Sequence, residues 1–148
     1  MPYICNMKVK QFKTEEFYET VVKWWNNHKI LHKGEIISYP AYPISILPQT
    51  VFVVSDDEYD LYCVFFYATD SALAWIAYPT SNVESPKENR EGALEFLFKG
   101  VEKYARENNY FLLFTTSPVE SVQKSLLSAD FEVGDEQVNQ YYKKLPPS

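Results

Sequence analysis

Apolar positions near the start of the chain change from the spacing of a strand to the spacing of a helix. The segment from Lys8 to Phe12 predicts a short strand. Thr14 then has the chemistry of an N-cap residue, with two glutamates behind it in the first turn. The residues that follow at helical spacing share one face, and they are Phe17, Val21, Trp24, Trp25 and His28. This stripe predicts a helix that packs on a large, flat surface.

Prolines interrupt the periodicity between Lys33 and Gln49. Because proline fixes φ and removes a backbone donor, the segment predicts a loop. We expect Tyr39 and Tyr42 to be exposed on this loop. Long loops on a rigid scaffold often carry binding, so the loop is a candidate contact surface for a partner.

Three β-branched and aromatic runs in the middle of the chain predict an antiparallel meander. The runs are Thr50 to Ser55, Leu61 to Ala68 and Leu73 to Tyr78. An acidic turn from Ser55 to Glu58 separates the first two runs. Pro79 follows the third run, and its missing N–H indicates a sheet edge, a bulge or the end of the strand.

The next part of the chain predicts a strand, a helix and a second strand. The segment Ser85-Pro86-Lys87-Glu88 has the form of a capping box with proline at the first helical position, which predicts a helix start. One apolar face then continues, so we expect a single long helix that ends at Asn108. The continuous apolar run from Tyr110 to Thr116 is typical of a strand buried on both faces. A strand reached through a helix implies a parallel crossover.

The remaining elements are short. The segment from Val119 to Leu127 predicts a helix. The segments from Phe131 to Val133 and from Val138 to Leu145 predict an antiparallel pair of strands. The sequence therefore predicts one domain over residues 1–145 and a short tail over residues 146–148.

The element order predicts an α+β fold. We expect a central, mostly antiparallel sheet with one parallel βαβ crossover and helices on both faces. The length of 148 residues is enough for one hydrophobic core.

Composition excludes several classes of function. The chain has four glycines, and none has the spacing of a phosphate-binding loop or a dinucleotide-binding fold. A net charge of −6 argues against a nucleic-acid partner, because phosphate binding requires many basic contacts. The longest apolar run, Leu61 to Ala68, is far shorter than the roughly 20 residues that span a bilayer, so we expect no membrane partner. With two cysteines and no signal-peptide pattern, a cytoplasmic location is expected.

A few side chains carry possible chemistry, each with a simpler interpretation beside it. His28 and His32 are spaced to share a helix face and hold a metal, although two histidines at a helix end without a metal fit better, so we predict no metal site. Cys63 fits a core position better than a nucleophile. The carboxylates of the Ser55 to Glu58 turn fit a solvated turn better than a site for a cationic substrate.

Tyrosines offer a further possibility. Four of them have hydroxyls that can act as proton donors in a pocket, and they are Tyr39, Tyr42, Tyr67 and Tyr78. Because aromatic residues make up 17% of the chain, such a set also arises by chance.

The inferred element order resembles that of the GNAT N-acetyltransferase superfamily over nearly the whole chain. The resemblance is closest to small GNAT-like proteins encoded by tailed bacteriophages, which implies the host cytoplasm as the location. The segments that carry it are Leu47 to Val54, Phe66 to Ser71, Arg90 to Leu94, Phe114 to Thr116 and Phe131 to Asp135.

The resemblance implies that acetyl-CoA lies in a V-shaped opening between the fourth and fifth strands. Its pantetheine arm would pair with the backbone of the fourth strand at Ile76, Ala77 and Tyr78. Its pyrophosphate would lie at the start of the long helix, where unpaired N–H groups and the helix dipole favour an anion. The cofactor-binding residues implied at that helix start are Glu88, Asn89, Arg90, Glu91, Gly92 and Ala93.

The sequence departs from the family at the catalytic positions that the resemblance implies. Ala77 stands where many members have a glutamate as general base, and Leu126 stands where a tyrosine protonates the leaving thiolate. The asparagine that often follows the fifth strand is replaced within Ser117-Pro118-Val119. The catalytic residues stay open, with Tyr78 a candidate for a direct role because it lies beside the implied pantetheine strand.

Two functions follow from the resemblance and its departures. The first is an N-acetyltransferase that moves an acetyl group from acetyl-CoA to a primary amine by direct attack. The second is a non-catalytic binding module, a pseudoenzyme, that engages a protein partner. The sequence leaves open whether the protein is an enzyme, as well as the acceptor and the oligomeric state.

Overall fold

The computed structural model describes residues 6–146, which form a five-stranded sheet, a separate two-stranded sheet and four helices. In chain order the elements are β1 (Lys8–Lys13), α1 (Thr14–Asn27), β2 (Lys29–His32), β3 (Glu35–Ser38), β4 (Thr50–Ser55), β5 (Asp60–Ala68), β6 (Leu73–Ser81), α2 (Lys87–Arg90), α3 (Ala93–Glu107), β7 (Leu112–Phe114) and α4 (Glu120–Ser128).

The large sheet has the strand order β1-β4-β5-β6-β7. The pairs β1–β4, β4–β5 and β5–β6 are antiparallel, whereas β6 and β7 are parallel. Since α2 and α3 connect β6 to β7, the expected parallel crossover is confirmed.

The sheet separates two hydrophobic cores, because successive side chains of a strand point to opposite faces. On one face α1 packs its aromatic stripe, including Trp24 and Trp25, against β4 and β5. On the other face α3 and α4 bury residues such as Leu97 and Phe98. The expected α+β class, with helices on both faces of a mostly antiparallel sheet, is confirmed.

The start of α1 differs slightly from the prediction. Thr14 is the first helical residue and Lys13 is the N-cap, so the assignment of Thr14 as N-cap is wrong. The reason is a distant contact: the Thr14 hydroxyl donates to the carbonyl oxygen of Pro48 at 2.6 Å. The Glu16 carboxylate accepts the Lys13 N–H at 3.0 Å instead.

The predicted loop from Lys33 to Gln49 contains a strand. β2 and β3 form a hairpin whose turn is Lys33-Gly34, both with positive φ. Glycine adopts that backbone without strain, which makes the tight turn possible. Tyr39 and Tyr42 are half-buried rather than exposed, because they pack against the core beneath α1.

The predicted long helix is two helices. Gly92 has φ 76° and separates α2 from α3, so the continuous helix expected from Ser85 is wrong. Ser85 does not cap a helix, because its hydroxyl donates to the carbonyl oxygen of Asn82 at 2.6 Å.

The end of the chain departs most from the prediction. β7 spans three residues, and Leu112 and Phe114 are 44% and 42% exposed, so burial on both faces is wrong. Residues 131–146 contain no strand, so the expected antiparallel pair is also wrong. Without strands from that segment beside it, β7 keeps a free edge. Of the predicted tail, residues 146–148, only Pro146 lies within the described residues.

Helix α4 confirms the short helix predicted from Val119, and it packs on α3. Within residues 6–146, every helix falls short of the length and apolar character needed to cross a membrane.

Candidate functional site

Strands β6 and β7 separate after only three paired positions. Leu73, Ala74 and Trp75 pair with the three residues of β7, whereas β6 continues to Ser81. Among the described residues 6–146, the second half of β6 therefore has a strand partner on its β5 side only. We call this half, Ile76 to Ser81, the β6 notch.

A β-bulge lies in the middle of the β6 notch. Ala77 pairs with Phe65 and Thr80 pairs with Cys63, so two residues of β6, Tyr78 and Pro79, oppose a single residue of β5. Tyr78 has φ 56°, in the left-handed region that a bulge usually fills with glycine. The bulge also explains why the strand passes through Pro79, since the extra residue needs no ladder N–H. The prediction that the strand ends at Tyr78 is wrong, whereas the bulge and the sheet edge, the other two alternatives for Pro79, occur together.

Two buried side chains hold the bulge in place. The Thr80 hydroxyl donates to the Tyr78 carbonyl oxygen at 2.8 Å, and the Trp25 indole Nε1 donates to the Thr80 hydroxyl at 3.0 Å. Thr80 is 5% exposed and Trp25 is 3% exposed. The chain of hydrogen bonds thus joins helix α1 to the β6 notch within the core.

The four tyrosines singled out in the sequence lie together beside the β6 notch, and we call Tyr39, Tyr42, Tyr67 and Tyr78 the tyrosine cluster. The Tyr42 ring stacks on the Tyr78 ring with centroids 4.4 Å apart. The hydroxyls of Tyr39 and Tyr42 are 2.8 Å apart. The Tyr67 hydroxyl donates to the carbonyl oxygen of Ile46 at 2.9 Å.

Burial raises the pKa of Tyr42 and of Tyr67 well above the ordinary value for a phenol, and the hydrogen bond between Tyr42 and Tyr39 adds to the effect on Tyr42. Both groups therefore stay protonated at neutral pH. They can donate hydrogen bonds there but cannot accept a proton as bases.

The helix start implied by the resemblance forms a corner between α2 and α3, and we call residues 88–93 the α2–α3 corner. Gly92 is the N-cap of α3, and no side chain caps the helix. The first N–H groups of α3 therefore lack intrahelical partners. Ala93 is fully buried beneath them.

The charged side chains of the corner do not converge on those N–H groups. Arg90 is turned inward, where it donates to the carbonyl oxygens of Ser85 and Asn82. The carboxylates of Glu88 and Glu91 are exposed. An anion at the corner would meet two negative charges, while the nearest arginine is already occupied.

Hydrogen bonds attach the corner to the end of β4, the start of β5 and the end of β6. Asn82, which accepts from Arg90, directly follows β6 and donates to the Asp60 carbonyl oxygen at 2.8 Å. Asn89 is 7% exposed and donates to Asp56 at 2.9 Å. The α2–α3 corner therefore lies at the end of β6 where the notch opens.

The contact with Asn89 also gives the acidic turn a structural role. Asp56 accepts the N–H groups of Glu58 and Tyr59 at 2.8 and 2.7 Å, as well as the Asn89 amide. Its carboxylate thus closes the turn between β4 and β5 and ties it to α2.

The expected catalytic positions contain no acid or base. Ala77 lies in the β6 notch, whereas Leu126 is 9% exposed and packs into the core below α3. The Ser117 hydroxyl accepts the Val119 N–H at 3.1 Å and shapes the start of α4. Cys63 is fully buried, and burial raises the pKa of its thiol, so it is not a nucleophile.

The histidines do not share a helix face. Helix α1 ends at Asn27, and His28 Nε2 lies 3.0 Å from the carbonyl oxygen of Ser81. His32 belongs to β2. In the part of the chain that the structure describes, no three His, Cys, Asp or Glu residues cluster in the way a metal ion requires.

Sequence reasoning missed Thr80 and the polar role of Trp25. Trp25 counted only as a member of the apolar stripe, although a buried indole N–H usually needs an acceptor. Two signals in the sequence could have found the contact: the indole N–H of Trp25, which needs an acceptor when it is buried, and the position of Thr80 directly after Pro79 in a strand.

No family model matches the sequence, and the comparison with curated proteins found no match. Solved structures do resemble it. An aminoglycoside acetyltransferase from an uncultured soil metagenomic sample, solved with sisomicin, has a TM-score of 0.65 at 15% identity, covering 95% of this chain and 97% of that one.

Two further neighbours were solved with CoA or a CoA analogue. Aminoglycoside N-acetyltransferase AAC(6')-Iy, with a bisubstrate analogue, has a TM-score of 0.59 at 18% identity over 94% of this chain and 99% of that one. N-acetylglutamate synthase from Neisseria gonorrhoeae, with coenzyme A and L-arginine, has a TM-score of 0.62 at 12% identity over 91% of this chain and 30% of that one. Because these neighbours are GNAT-family acetyltransferases, the likeness identifies the fold of the protein as the GNAT fold.

Proposed function

We propose that the protein is a CoA-dependent N-acyltransferase that moves an acyl group, acetyl in the simplest case, to a primary amine. A shared fold alone is an argument by analogy. The observation that carries the proposal is the β6 notch, where strand backbone with one free side continues past the end of β7.

The free side of β6 suits an extended ligand that contains amides. An exposed strand edge binds such a ligand by adding it as a further strand. The pantetheine arm of CoA carries two amide groups, so we place it along the backbone of Ile76, Ala77 and Tyr78. The neighbours solved with CoA or its analogue support an acyl-CoA cosubstrate.

The α2–α3 corner would receive the pyrophosphate. Among residues 88–93, which the resemblance implies, the N–H groups of Asn89 and Glu91 already donate to the carbonyl oxygens of Pro86 and Glu88. We therefore expect the N–H groups of Gly92 and Ala93 to contact the pyrophosphate. Gly92 has no side chain to block an approach, and the positive end of the α3 dipole attracts an anion. The negative charges of Glu88 and Glu91 oppose the binding of the pyrophosphate. We therefore expect CoA to bind more weakly here than it would if these two side chains were uncharged.

The acyl transfer balances without a catalytic acid or base from the chain. The neutral amine nitrogen attacks the thioester carbonyl carbon, a C–N bond forms and the C–S bond breaks. The amine loses its proton to water, and the thiolate leaves and takes a proton from water. Holding the amine and the thioester together accounts for the rate, as positioning alone supplies a large part of the barrier reduction.

Thermal unfolding with acetyl-CoA tests the binding step. A ligand at a hundred times its dissociation constant adds about 2.7 kcal/mol of stability, which for this length raises the melting temperature by roughly 5 to 10 °C. Release of free thiol from acetyl-CoA in the presence of a panel of primary amines then tests catalysis. An unchanged melting temperature at millimolar acetyl-CoA would contradict the proposal.

The binding module is a second candidate, favoured by the acidic α2–α3 corner and by the absence of an acid or base at Ala77 and Leu126. Its partner would be a protein. A melting shift without thiol release from any amine would support a module that binds CoA but does not transfer an acyl group. The closeness to phage-encoded proteins and the cytoplasmic location stay predictions, and the identity of the acceptor stays open.

A further inference from the structure

Tyr78 holds an unusual backbone conformation for a bulky residue. Its φ of 56° lies in the left-handed region, where a side chain crowds the following carbonyl. Such a conformation persists only when the surroundings enforce it, and it is frequent at functional sites. The residues that surround Tyr78 must therefore hold it in this conformation.

The hydrogen-bond chain from Trp25 to Tyr78 has only one possible direction. An indole N–H can only donate, so the Thr80 oxygen must accept from Trp25. The single Thr80 proton is then left for the Tyr78 carbonyl oxygen, at 2.8 Å. The indole thus fixes the Thr80 hydroxyl, and the hydroxyl fixes the carbonyl of the bulge.

The fixed carbonyl determines which groups β6 offers to a ligand. With its oxygen engaged by Thr80, Tyr78 is held in the bulged conformation, and its ring is held against Tyr42. A bulge that relaxed to a regular strand would shift the register of the β6 notch by one residue and turn its groups to the other face.

We infer that Trp25 and Thr80 are positioning residues that hold the backbone of the β6 notch in the conformation that receives the pantetheine arm. This inference rests on the proposed function. Both side chains are at least 95% buried, so they act through Tyr78 and do not touch the ligand.

Three variants separate this role from general stability. Thr80→Val keeps the shape and removes the hydroxyl, whereas Thr80→Ser restores the hydroxyl. Thr14→Val is the matched control, because Thr14 is also buried and its hydroxyl also donates to a backbone carbonyl oxygen, that of Pro48, outside the β6 notch. If Thr80→Val does not fold, Trp25→Phe removes the indole donor to Thr80 and keeps the Thr80–Tyr78 hydrogen bond, so it tests the first link of the chain alone.

The binding test compares acetyl-CoA with adenosine bisphosphate, the half of CoA that lacks the pantetheine arm. We expect Thr80→Val to weaken acetyl-CoA about tenfold, as the loss of one buried hydrogen bond does, and to leave adenosine bisphosphate unchanged. Thr80→Ser and Thr14→Val should both bind acetyl-CoA like the original protein. Equal weakening of the two ligands, or no weakening in a folded Thr80→Val, would overturn the inference.

Backbone NMR of the ligand-free protein gives a readout that does not depend on binding. The amide signals of residues 76–80 should move in Thr80→Val and return in Thr80→Ser. Signals that stay in place would overturn the holding role whether or not acetyl-CoA binds. If those signals move as expected while the original protein binds no acetyl-CoA, the proposed function fails and the link to pantetheine fails with it, but the structural role of the pair stands.

Discussion

The β6 notch and the α2–α3 corner form the two halves of the proposed site, and they are built in opposite ways. The notch is held by buried rings and hydrogen bonds, including Trp25, Thr80 and Tyr42. The corner is exposed, acidic and shaped by one glycine. Strand geometry suited to a pantetheine arm is present, whereas the charge suited to a pyrophosphate is not. The two halves of the proposed site therefore differ in what they offer the proposed ligand, and each can be tested separately.

The largest effect is expected from breaking the support of the β6 notch. Trp25→Ala removes a buried ring that packs on Phe65 and Tyr42, so the free energy of unfolding should fall by about 3 to 5 kcal/mol. Urea denaturation followed by circular dichroism measures it. Trp75→Ala is the control, because Trp75 is 40% exposed and should lose about 1 kcal/mol or less. An equal loss of unfolding free energy in the two variants would contradict the claim that Trp25 supports the β6 notch.

The shape of the α2–α3 corner gives a prediction whose sign discriminates. At φ 76° a Cβ is strained, so Gly92→Ala should lower the free energy of unfolding by about 1 kcal/mol. In one continuous helix the same change would instead raise it by roughly 0.5 to 1 kcal/mol. Gly134→Ala is the control, since a Cβ there meets no atom within 4 Å, and it should have little effect. A stabilised Gly92→Ala would contradict the corner.

Removing the charge of the corner should sharpen the contrast between the two halves. The double change of Glu88→Gln and Glu91→Gln should strengthen acetyl-CoA binding by about threefold to tenfold at low salt, because two carboxylates near an anion are removed. Isothermal titration calorimetry measures it. Glu107→Gln, at the other end of α3, should leave the affinity unchanged. Unchanged affinity in the double variant would place the pyrophosphate elsewhere.

The smallest effect concerns the tyrosine cluster at high pH. Burial raises the pKa of Tyr42 above the ordinary value of about 10, so its contribution to stability is fully present below pH 10. Above that pH the unfolded chain releases the proton while the folded chain retains it, and stability falls. Melting temperatures between about pH 9 and about pH 11 should fall less steeply in Tyr42→Phe. Tyr141→Phe is the control, because Tyr141 is 86% exposed and its loss should not change how steeply the melting temperature falls with pH. An equal change of this slope in the two variants would contradict the claim that burial raises the pKa of Tyr42.

Sequence patterns predicted the elements whose burial is decided locally. β4 and β5 are runs of β-branched and aromatic residues that are buried almost continuously, and the apolar stripe of α1 is visible directly in the sequence. The order of these elements was enough to indicate the fold. Gly92 also carried a usable signal, because glycine inside an apolar helical pattern marks a possible break.

The remaining features depend on contacts far apart in sequence. The bulge at Tyr78 is held by Trp25, on a helix whose contact with Thr80 spans 55 residues. The sequence around Tyr78 does not predict its positive φ, because tyrosine rarely adopts the left-handed backbone region. β7 was predicted to be buried because its residues are apolar, yet burial also requires a neighbouring strand, and residues 131–146 supply none.

The central claim is that an acyl-CoA lies along the β6 notch, and amide hydrogen exchange with and without acetyl-CoA tests it most directly. Backbone amides on the free side of β6 have no strand partner, so a ligand that pairs with them should slow their exchange. The account predicts slower exchange in residues 76–78 and in residues 92–93, with residues 131–146 unchanged. Saturating acetyl-CoA that leaves residues 76–78 unaltered would contradict it.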